Sequence, residues 1–265
     1  MSKDTIEERP ASRYSVPALE KGLEILELMA RSPTPLNLTT ISAELGRSTG
    51  EIYRILQYLD WAEYIVRIRD SDTYALSMKL FTLSHEHPPV RSISAAAIPI
   101  MEDLVSRAAQ SCHLGVLNRT NVSIVAQIDS PLPITYGVRL GAQFPVWETS
   151  SGVLLCAFQS DAGRRTLFGH LAQLIDEQAL ADLQKKMAEV IERGFEERQS
   201  IRIAGIINFS FPVFDRHGHI VAALTVPYLP QRSNPTTPDE VRELLAKAAA
   251  ALSKALGFLE QNDFK

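Results

Sequence analysis

The sequence predicts an α+β fold that is divided between a small amino-terminal domain and a larger carboxy-terminal one. The length of 265 residues suits one small and one medium domain. Apolar residues recur at helical spacing from residue 17 to residue 59, whereas stretches of strand character lie among the helices beyond residue 110. Two prolines, Pro88 and Pro89, interrupt the chain between these parts. We therefore expect the domain boundary near residues 86–92.

The amino-terminal domain is predicted to begin with two helices. Over residues 17–30, leucines recur at helical spacing and define the first helix. Prolines at positions 33 and 35 end it, because proline removes a backbone donor and clashes with the preceding turn. Asn37 is expected to cap a short second helix, and Gly46 suits the left-handed conformation that closes it.

A third helix is predicted to start at Ser48. Ser48 and Glu51 match a capping box, in which each side chain satisfies the other residue's backbone N–H. The apolar face of this helix consists of Ile52, Ile55, Leu56 and Leu59. The exposed faces then carry Thr49, Tyr53, Arg54 and Gln57.

A β-hairpin is expected after the third helix. Residues 64–69 have strand character, Asp70 and Asp72 favour a turn, and residues 73–76 can run back beside the first strand. Three helices and such a hairpin predict a winged helix-turn-helix over residues 15–77, whose third helix fits the major groove of DNA. Residues 78–92 are predicted to form a linker helix and hinge, and the charged residues 1–14 a disordered tail.

The remaining residues, 93–260, predict a second domain with a central antiparallel sheet. The expected strands cover residues 112–117, 122–129, 206–213 and 220–226. The expected helices cover residues 93–109, 149–158, 177–193 and 239–259. A turn at residues 215–218 joins the last two strands as a hairpin, so they are expected to run antiparallel.

Composition narrows the class of protein. A net charge of −4 speaks against a protein that coats nucleic acid indiscriminately, so any contact with DNA must come from a local patch of cations. No apolar stretch approaches the length of a membrane span, and the polar first ten residues lack the apolar core of a secretory signal. We expect a cytoplasmic protein without a membrane partner. Cys112 and Cys156 are far apart in sequence, which favours buried thiols over a disulfide.

Several segments, taken in order and spacing, resemble the IclR family of bacterial transcription regulators over residues 15–255. In the amino-terminal part these are Val16 to Met29, Tyr64 to Val66 and Tyr74 to Leu80. In the carboxy-terminal part they are His113 to Leu117, Pro145 to Ala157, Arg193 to Phe195, Gly205 to Pro212 and Val221 to Thr225. The resemblance implies a ligand-responsive DNA-binding regulator of transcription.

The resemblance also implies a GAF-like fold for residues 93–260, which would then be an effector-binding domain, and a homodimer or a dimer of dimers. From the residues of the candidate pocket described below, we expect the effector to be a small organic acid of catabolism, aromatic acids included. Two features depart from the family pattern. Ser48 to Glu51 replace the usual Pro-Lys-Ser-Thr-like start of the third helix, so no base contact is carried over there. Arg198 and Asn208 stand where the family often has an acidic residue and a cysteine, which favours a changed ligand preference.

The residues expected to contact DNA lie at the third helix and on the hairpin. They are Arg47, Ser48, Thr49, Tyr53, Arg54, Gln57, Arg67 and Arg69. Arg54 suits a bidentate contact to guanine, and the two hairpin arginines suit phosphates. The alternative is an ordinary solvated helix surface. Two such heads in a dimer predict a pseudo-palindromic double-stranded operator with half-sites ~10 bp or a multiple apart.

The residues expected to bind the effector lie at a helix start and on three neighbouring segments. They are Trp147, Thr149, Ser150, Ser151, Arg198, Asn208, Ser210 and Thr225. Hydroxyls and free N–H groups at a helix start suit a carboxylate, although they equally suit a cap that binds nothing. Trp147 is a candidate aromatic wall or a core residue. Arg198 and Arg202 are candidate partners of a carboxylate or solvated cations.

No metal, cofactor or catalytic centre is predicted. His85, His87, His217 and His219 occur in pairs, but a metal site needs three or four ligands that meet in space. Cys112 and His113 should point to opposite faces of a strand, which prevents joint catalysis. We therefore expect a protein that is not an enzyme. The alternative is a small-molecule sensor or enzyme whose winged helix serves protein interaction; salt-dependent, sequence-specific DNA binding excludes it.

Overall fold

The computed structural model describes residues 16–68, 70–86, 88–232 and 235–259. The chain divides into two compact units, with the division between residue 87 and Pro88. The predicted tail at residues 1–14 lies outside the described residues, and so do Arg69 and His87. No helix in the described ranges is both long enough and apolar enough to cross a bilayer.

The first unit contains three helices, a small sheet and a fourth helix. Its elements are α1 (Pro17–Arg31), β1 (Leu36–Asn37), α2 (Leu38–Glu44), α3 (Thr49–Trp61), β2 (Ile65–Ile68), β3 (Thr73–Leu76) and α4 (Lys79–Glu86). The sheet is antiparallel with strand order β1-β3-β2. The predicted winged helix-turn-helix is therefore confirmed, with β1 as an addition that the sequence analysis missed.

The core of the first unit follows the predicted helix faces. Ile25 of α1, Ile41 of α2, and Ile52 and Leu56 of α3 are fully buried against one another. Burial of these side chains supplies most of the driving force for packing three short helices, which are marginal in isolation. Asn37 caps α2 by accepting a hydrogen bond from the Thr40 N–H at 2.8 Å, as predicted.

The predicted capping box at the start of α3 is wrong. Ser48 is the N-cap residue, but its side chain makes no cap hydrogen bond. Glu51 instead accepts a hydrogen bond from the Lys21 ammonium of α1. This contact lowers the pKa of Glu51, because the bond to Lys21 favours the charged carboxylate. The Glu51 carboxylate therefore bonds to Lys21 on α1, whereas in a capping box it would bond to the backbone N–H of Ser48.

The second unit has a six-stranded antiparallel sheet with strand order β6-β5-β4-β9-β8-β7. Its strands are β4 (Cys112–Asn118), β5 (Asn121–Ile128), β6 (Gln143–Pro145), β7 (Glu196–Gln199), β8 (Ile207–Phe214) and β9 (Ile220–Tyr228). Its α-helices are α5 (Pro88–Ala108), α6 (Ser150–Ala157), α7 (Asp161–Leu171), α8 (Glu177–Arg193) and α9 (Pro238–Ala255). This confirms the predicted α+β class and the central antiparallel sheet.

Side-chain alternation along the strands produces two separate cores. Leu114 and Leu224 pack with α5 and α9 on one side of the sheet, where Met101 and Leu245 are fully buried. Ala223 points to the opposite side and packs with α6, α7 and α8. Because neighbouring residues of a strand face opposite sides, the polar residues between the α5 and α9 contacts are directed to the α6 side.

Candidate nucleic-acid interface and ligand cavity

The first half of α3 presents a polar surface to solvent. We call it the reading surface; it consists of Arg47, Ser48, Thr49, Tyr53, Arg54 and Gln57, all of which are exposed. Ile52 and Leu56 hold the opposite side of the helix in the core. The structure thus brings together the six predicted residues of this region on α3 and on the two residues that precede it. Arg69 lies outside the described residues.

The cations at this surface differ in their partners. Arg47 contacts Glu24 of α1 at 3.4 Å. Within the described part of the chain, Arg54 makes no ion pair, so its guanidinium is open to solvent and to other partners. On the hairpin, Arg67 donates to Asp72, and this bond raises the pKa of Arg67. Arg54 is consequently the cation most ready for a new hydrogen bond.

A cavity of about 60 Å³ lies on the α6 side of the sheet in the second unit. Five structural parts form its wall: the start of α6, the turn before it, strands β4, β5, β8 and β9, the loop from β5 into β6, and the segment from β7 to β8. Its lining consists of His113, Ile124, Tyr136, Val138, Phe144, Glu148, Thr149, Ser150, Ser151, Arg198, Gln199, Ser200, Ile201, Arg202, Asn208 and Thr225.

A row of polar residues crosses the sheet at this cavity. Strand register places Glu196, Ser210, Thr225, His113 and Gln127 side by side on five neighbouring strands. Ser210 and Thr225 satisfy each other through a 2.8 Å hydrogen bond. Of this row, His113 and Thr225 line the cavity, on a face of the sheet whose opposite side packs into a hydrophobic core.

The start of α6 closes one end of the cavity. Thr149 is the N-cap and accepts a hydrogen bond from the Gly152 N–H at 3.0 Å. A Cβ at Gly152 would lie 2.2 Å from the Val146 carbonyl oxygen, so only glycine permits the tight approach of this turn. Ser150 is buried, and in the described residues its hydroxyl has no hydrogen-bond partner. Free N–H groups of a first helical turn favour an anion.

The arginines of the cavity are held by carboxylates. Arg198 pairs with the buried Glu196, which also contacts Arg193 at 2.9 Å. Burial raises the pKa of Glu196, while Arg198 opposes that shift. Arg202 pairs with Glu148 at 2.5 Å. Its guanidinium also lies 4.9 Å from the centre of the Phe144 ring, a cation–π distance. An incoming carboxylate would have to share these arginines with their present partners.

The structure brings together most, but not all, of the predicted effector residues. Thr149, Ser150, Ser151, Arg198, Asn208 and Thr225 line the cavity. Trp147 and Ser210 are absent from its lining: Trp147 packs against the core beneath α6, and Ser210 bonds to Thr225. The expected aromatic wall consists instead of Phe144 and Tyr136.

His113 is a polar lining residue that was not among the predicted effector residues. It lies beside Thr225 in the strand register and lines the cavity. Cys112, its neighbour in the chain, points into the α5 and α9 core, so the two side chains lie on opposite faces as predicted. Burial raises the pKa of Cys112 to about 12. In the described ranges, no three histidine, cysteine or acidic side chains are grouped for a metal ion.

Comparisons with known proteins agree with this architecture. The family model described as IclR helix-turn-helix domain matches residues 18–67, and the one described as bacterial transcriptional regulator IclR C-terminal matches residues 89–254. The chain is 28% identical over 247 residues to the HTH-type transcriptional regulator XynR of Escherichia coli K12, covering 92% of this chain and 98% of XynR. It is 25% identical over 248 residues to KdgR of the same strain, covering 92% and 94%.

Solved structures share the fold at lower sequence identity. An IclR homolog from Microbacterium hydrocarbonoxydans complexed with 4-hydroxybenzoate superposes with a TM-score of 0.75 at 19% identity, covering 90% of this chain and 98% of that one. The IclR protein of Thermotoga maritima superposes with a TM-score of 0.69 at 19% identity, covering 91% and 98%.

Proposed function

Because the chain belongs to the IclR family of ligand-responsive, DNA-binding bacterial regulators, we propose that α3 reads a pseudo-palindromic operator and that the cavity takes a small organic acid. The observation that carries the DNA part is the exposed Arg54 on the reading surface, which forms no ion pair with any other described residue. A guanidinium in this position suits bidentate donation to guanine in the major groove. Thr49, Tyr53 and Gln57 surround it with further polar contacts.

The hairpin contributes to the proposed complex through phosphate contacts. Arg67 is partly exposed and projects from β2. To contact DNA, Arg67 must replace its bond to the Asp72 carboxylate with a bond to a phosphate oxygen. This replacement costs little free energy, because an ion pair that is exposed to solvent is weak. Contacts of this type position the protein on the duplex and carry no sequence information directly.

The cavity is proposed to bind a carboxylate at the start of α6. Ser150 and Ser151 occupy the first turn, and the Ser150 hydroxyl, which has no hydrogen-bond partner among the described residues, can donate to a carboxylate oxygen. The Microbacterium structure of similar fold holds 4-hydroxybenzoate, which is itself an organic acid. This supports the chemical class of the ligand for the present chain and leaves its carbon skeleton to experiment.

We also propose that two copies of the chain associate through the first unit. A groove of about 1040 Å³ runs between α1, α3 and α4; its lining is predominantly apolar but includes Arg54, which is also exposed on the reading surface. The contact is proposed for the apolar residues only, so that Arg54 keeps its access to DNA. Leu19, Leu23, Tyr58, Leu80 and Leu83 line it and are exposed in the single chain. Exposed apolar surface of this extent is typical of association sites. A second copy is the occupant that also pairs two reading helices for a palindrome, in a homodimer or a dimer of dimers.

We propose that the protein acts in the cytoplasm, where both DNA and metabolites are present. In this proposal it acts by binding alone, without catalysis, a cofactor or a membrane. The curated relatives with matching length are described as transcriptional regulators, which supports a role by binding alone.

Selection from random duplex DNA tests the proposed reading surface. Wild-type protein, Arg54→Ala and Arg31→Ala are each used to enrich bound sequences at fixed salt. Arg31 is an exposed arginine at the end of α1 that is not part of the reading surface, and it therefore controls for the loss of one charge. We expect a palindrome that wild type and Arg31→Ala share and that Arg54→Ala loses. An identical palindrome from all three proteins would contradict the role of Arg54, and no enrichment by folded wild type would contradict operator binding.

A further inference from the structure

We propose that His113 is a specificity-determining residue of the cavity, which selects short carboxylic acids that carry a hydroxyl group. The proposal rests on the proposed function, since it concerns the same cavity. It adds that the ligand carries a hydroxyl group, which the carboxylate site at α6 alone does not require. Two polar atoms on separate elements carry it, neither of which has a hydrogen-bond partner among the residues that the structure describes: Nδ1 of His113 on β4 and the hydroxyl oxygen of Ser150 on α6.

His113 is buried, and one of its two ring nitrogens lacks a hydrogen-bond partner among the described residues. The side chain is 6% exposed and lines the cavity. In the part of the chain that the structure describes, Nδ1 has no hydrogen-bond partner. The neighbouring Thr225 hydroxyl is engaged with Ser210. Buried polar atoms are normally paired, so a ligand group that pairs with this imidazole gains more than it would in water.

The imidazole is neutral at physiological pH. Burial lowers the pKa of His113 to about 4. The charged groups that line the same cavity are Glu148, Arg198 and Arg202, and each of them is paired with an opposite charge. No free carboxylate of the cavity lining therefore stabilises a protonated imidazole. A neutral imidazole offers one donor and one acceptor, which matches a hydroxyl group and does not match a second carboxylate.

The size of the cavity limits the rest of the ligand. Its volume of about 60 Å³ is less than half of the ~150 Å³ of an engineered cavity that accepts benzene. An acid of a few carbons is therefore the size of ligand that we expect the cavity to hold. The ligand inferred is thus a short hydroxy acid, with its carboxylate at the start of α6 and its hydroxyl on His113.

Matched pairs of acids test the inference directly. Calorimetry is carried out on the full chain with lactate and propanoate, and with 3-hydroxybutanoate and butanoate. We expect wild type to bind the hydroxylated member of at least one pair roughly tenfold more tightly, because the deoxy acid leaves the buried imidazole unpaired. Binding of the deoxy acid with equal affinity would overturn the inference. So would failure of all four acids to bind a protein that still binds its operator.

Variants of His113 separate recognition from a structural role. In His113→Leu, the ratio of the affinity for the hydroxy acid to that for the deoxy acid should fall to about one, while the affinity for the deoxy acid stays the same. His113→Gln, which restores a donor and an acceptor, should recover part of the preference. His170→Leu, at an exposed histidine on α7, should leave it unchanged. A preference that survives in His113→Leu would overturn the role of His113.

A spectroscopic measurement on wild type does not depend on the folding of these variants. With imidazole ¹⁵N labelling, the His113 resonances should move on addition of the hydroxy acid and remain in place with the deoxy acid. Equal responses to both acids would contradict a hydroxyl contact. Operator binding is measured separately, so a failed hydroxyl preference is distinguishable from failure of the DNA-binding function.

Discussion

Arg67 and Asp72 form an ion pair across the turn of the hairpin in the first unit. Arg67 donates from Nε at 2.9 Å and from Nη2 at 2.5 Å to the same oxygen, Oδ1 of Asp72. In the proposed complex, this carboxylate competes with DNA phosphate for the guanidinium of Arg67. The competition should weaken binding to any duplex modestly, because part of the guanidinium is already engaged.

Removing that competing anion should strengthen DNA binding. In Asp72→Asn, Arg67 loses its charged partner and contacts phosphate without an exchange, so affinity for any duplex should rise several-fold. Fluorescence anisotropy at several salt concentrations provides the measurement. Asp70→Asn is the matched control, since Asp70 is an exposed carboxylate of the same turn. Equal gains in both variants would mean that net charge alone is responsible.

The start of α3 provides a test of the corrected cap. Since the Ser48 side chain makes no cap hydrogen bond, Ser48→Ala should change the unfolding free energy by far less than the ~1 kcal/mol of a typical N-cap. Glu51→Gln should lower the thermal midpoint of the first unit more than Ser48→Ala does, because it removes the contact with Lys21. Urea and thermal unfolding of both variants give the comparison. A larger loss of stability in Ser48→Ala than in Glu51→Gln would instead support the capping box.

Burial of His113 should make stability depend on pH. The folded pKa of about 4 lies below the unfolded value of 6.5, so the unfolded state binds the proton first as pH falls. The contribution of the neutral His113 to the free energy of unfolding is therefore complete above pH 6.5, and it is lost as the pH falls towards 4. Relative to His113→Leu, wild type should lose about 3 kcal/mol of unfolding free energy over this interval. Chemical unfolding of both proteins at several pH values measures the difference, and a constant difference would contradict a buried neutral imidazole.

The two cysteines should be inert in the folded protein. Burial raises the pKa of Cys112 and that of Cys156 to about 12, so the reactive thiolate is scarce at pH 8. A thiol-specific chromogenic reagent should react with both only after denaturation. Rapid reaction of either in native buffer would show that the second unit opens locally.

The sequence was most informative where periodicity extends over several turns. The helices α1, α3, α8 and α9 were predicted close to their observed bounds, because each carries a long apolar stripe. The two-residue strand β1 is too short for any periodic signal. α7 contains Gly163 and Gly169, which weaken helix propensity, and the edge strand β7 consists of charged and amide residues. These elements depend on tertiary packing, which local patterns do not contain.

The candidate site was predictable in part for the same reason. Thr149 and Ser150 were found because a helix start has a local signature. His113 was missed because its place beside Thr225 depends on the pairing of β4 with β9, two strands far apart in the sequence. The alternation between Cys112 and His113 indicated opposite faces, but only the sheet order identifies which face meets the cavity.

Linkage between ligand and DNA tests the central claim most directly. The affinity of the full chain for its selected operator is measured with and without a saturating amount of the acid that binds most tightly in calorimetry. The affinity for that acid is then measured with and without operator. The account predicts that each ligand changes the affinity for the other by the same factor, in the range of about 5- to 150-fold. An operator affinity that is identical with and without saturating acid would contradict it.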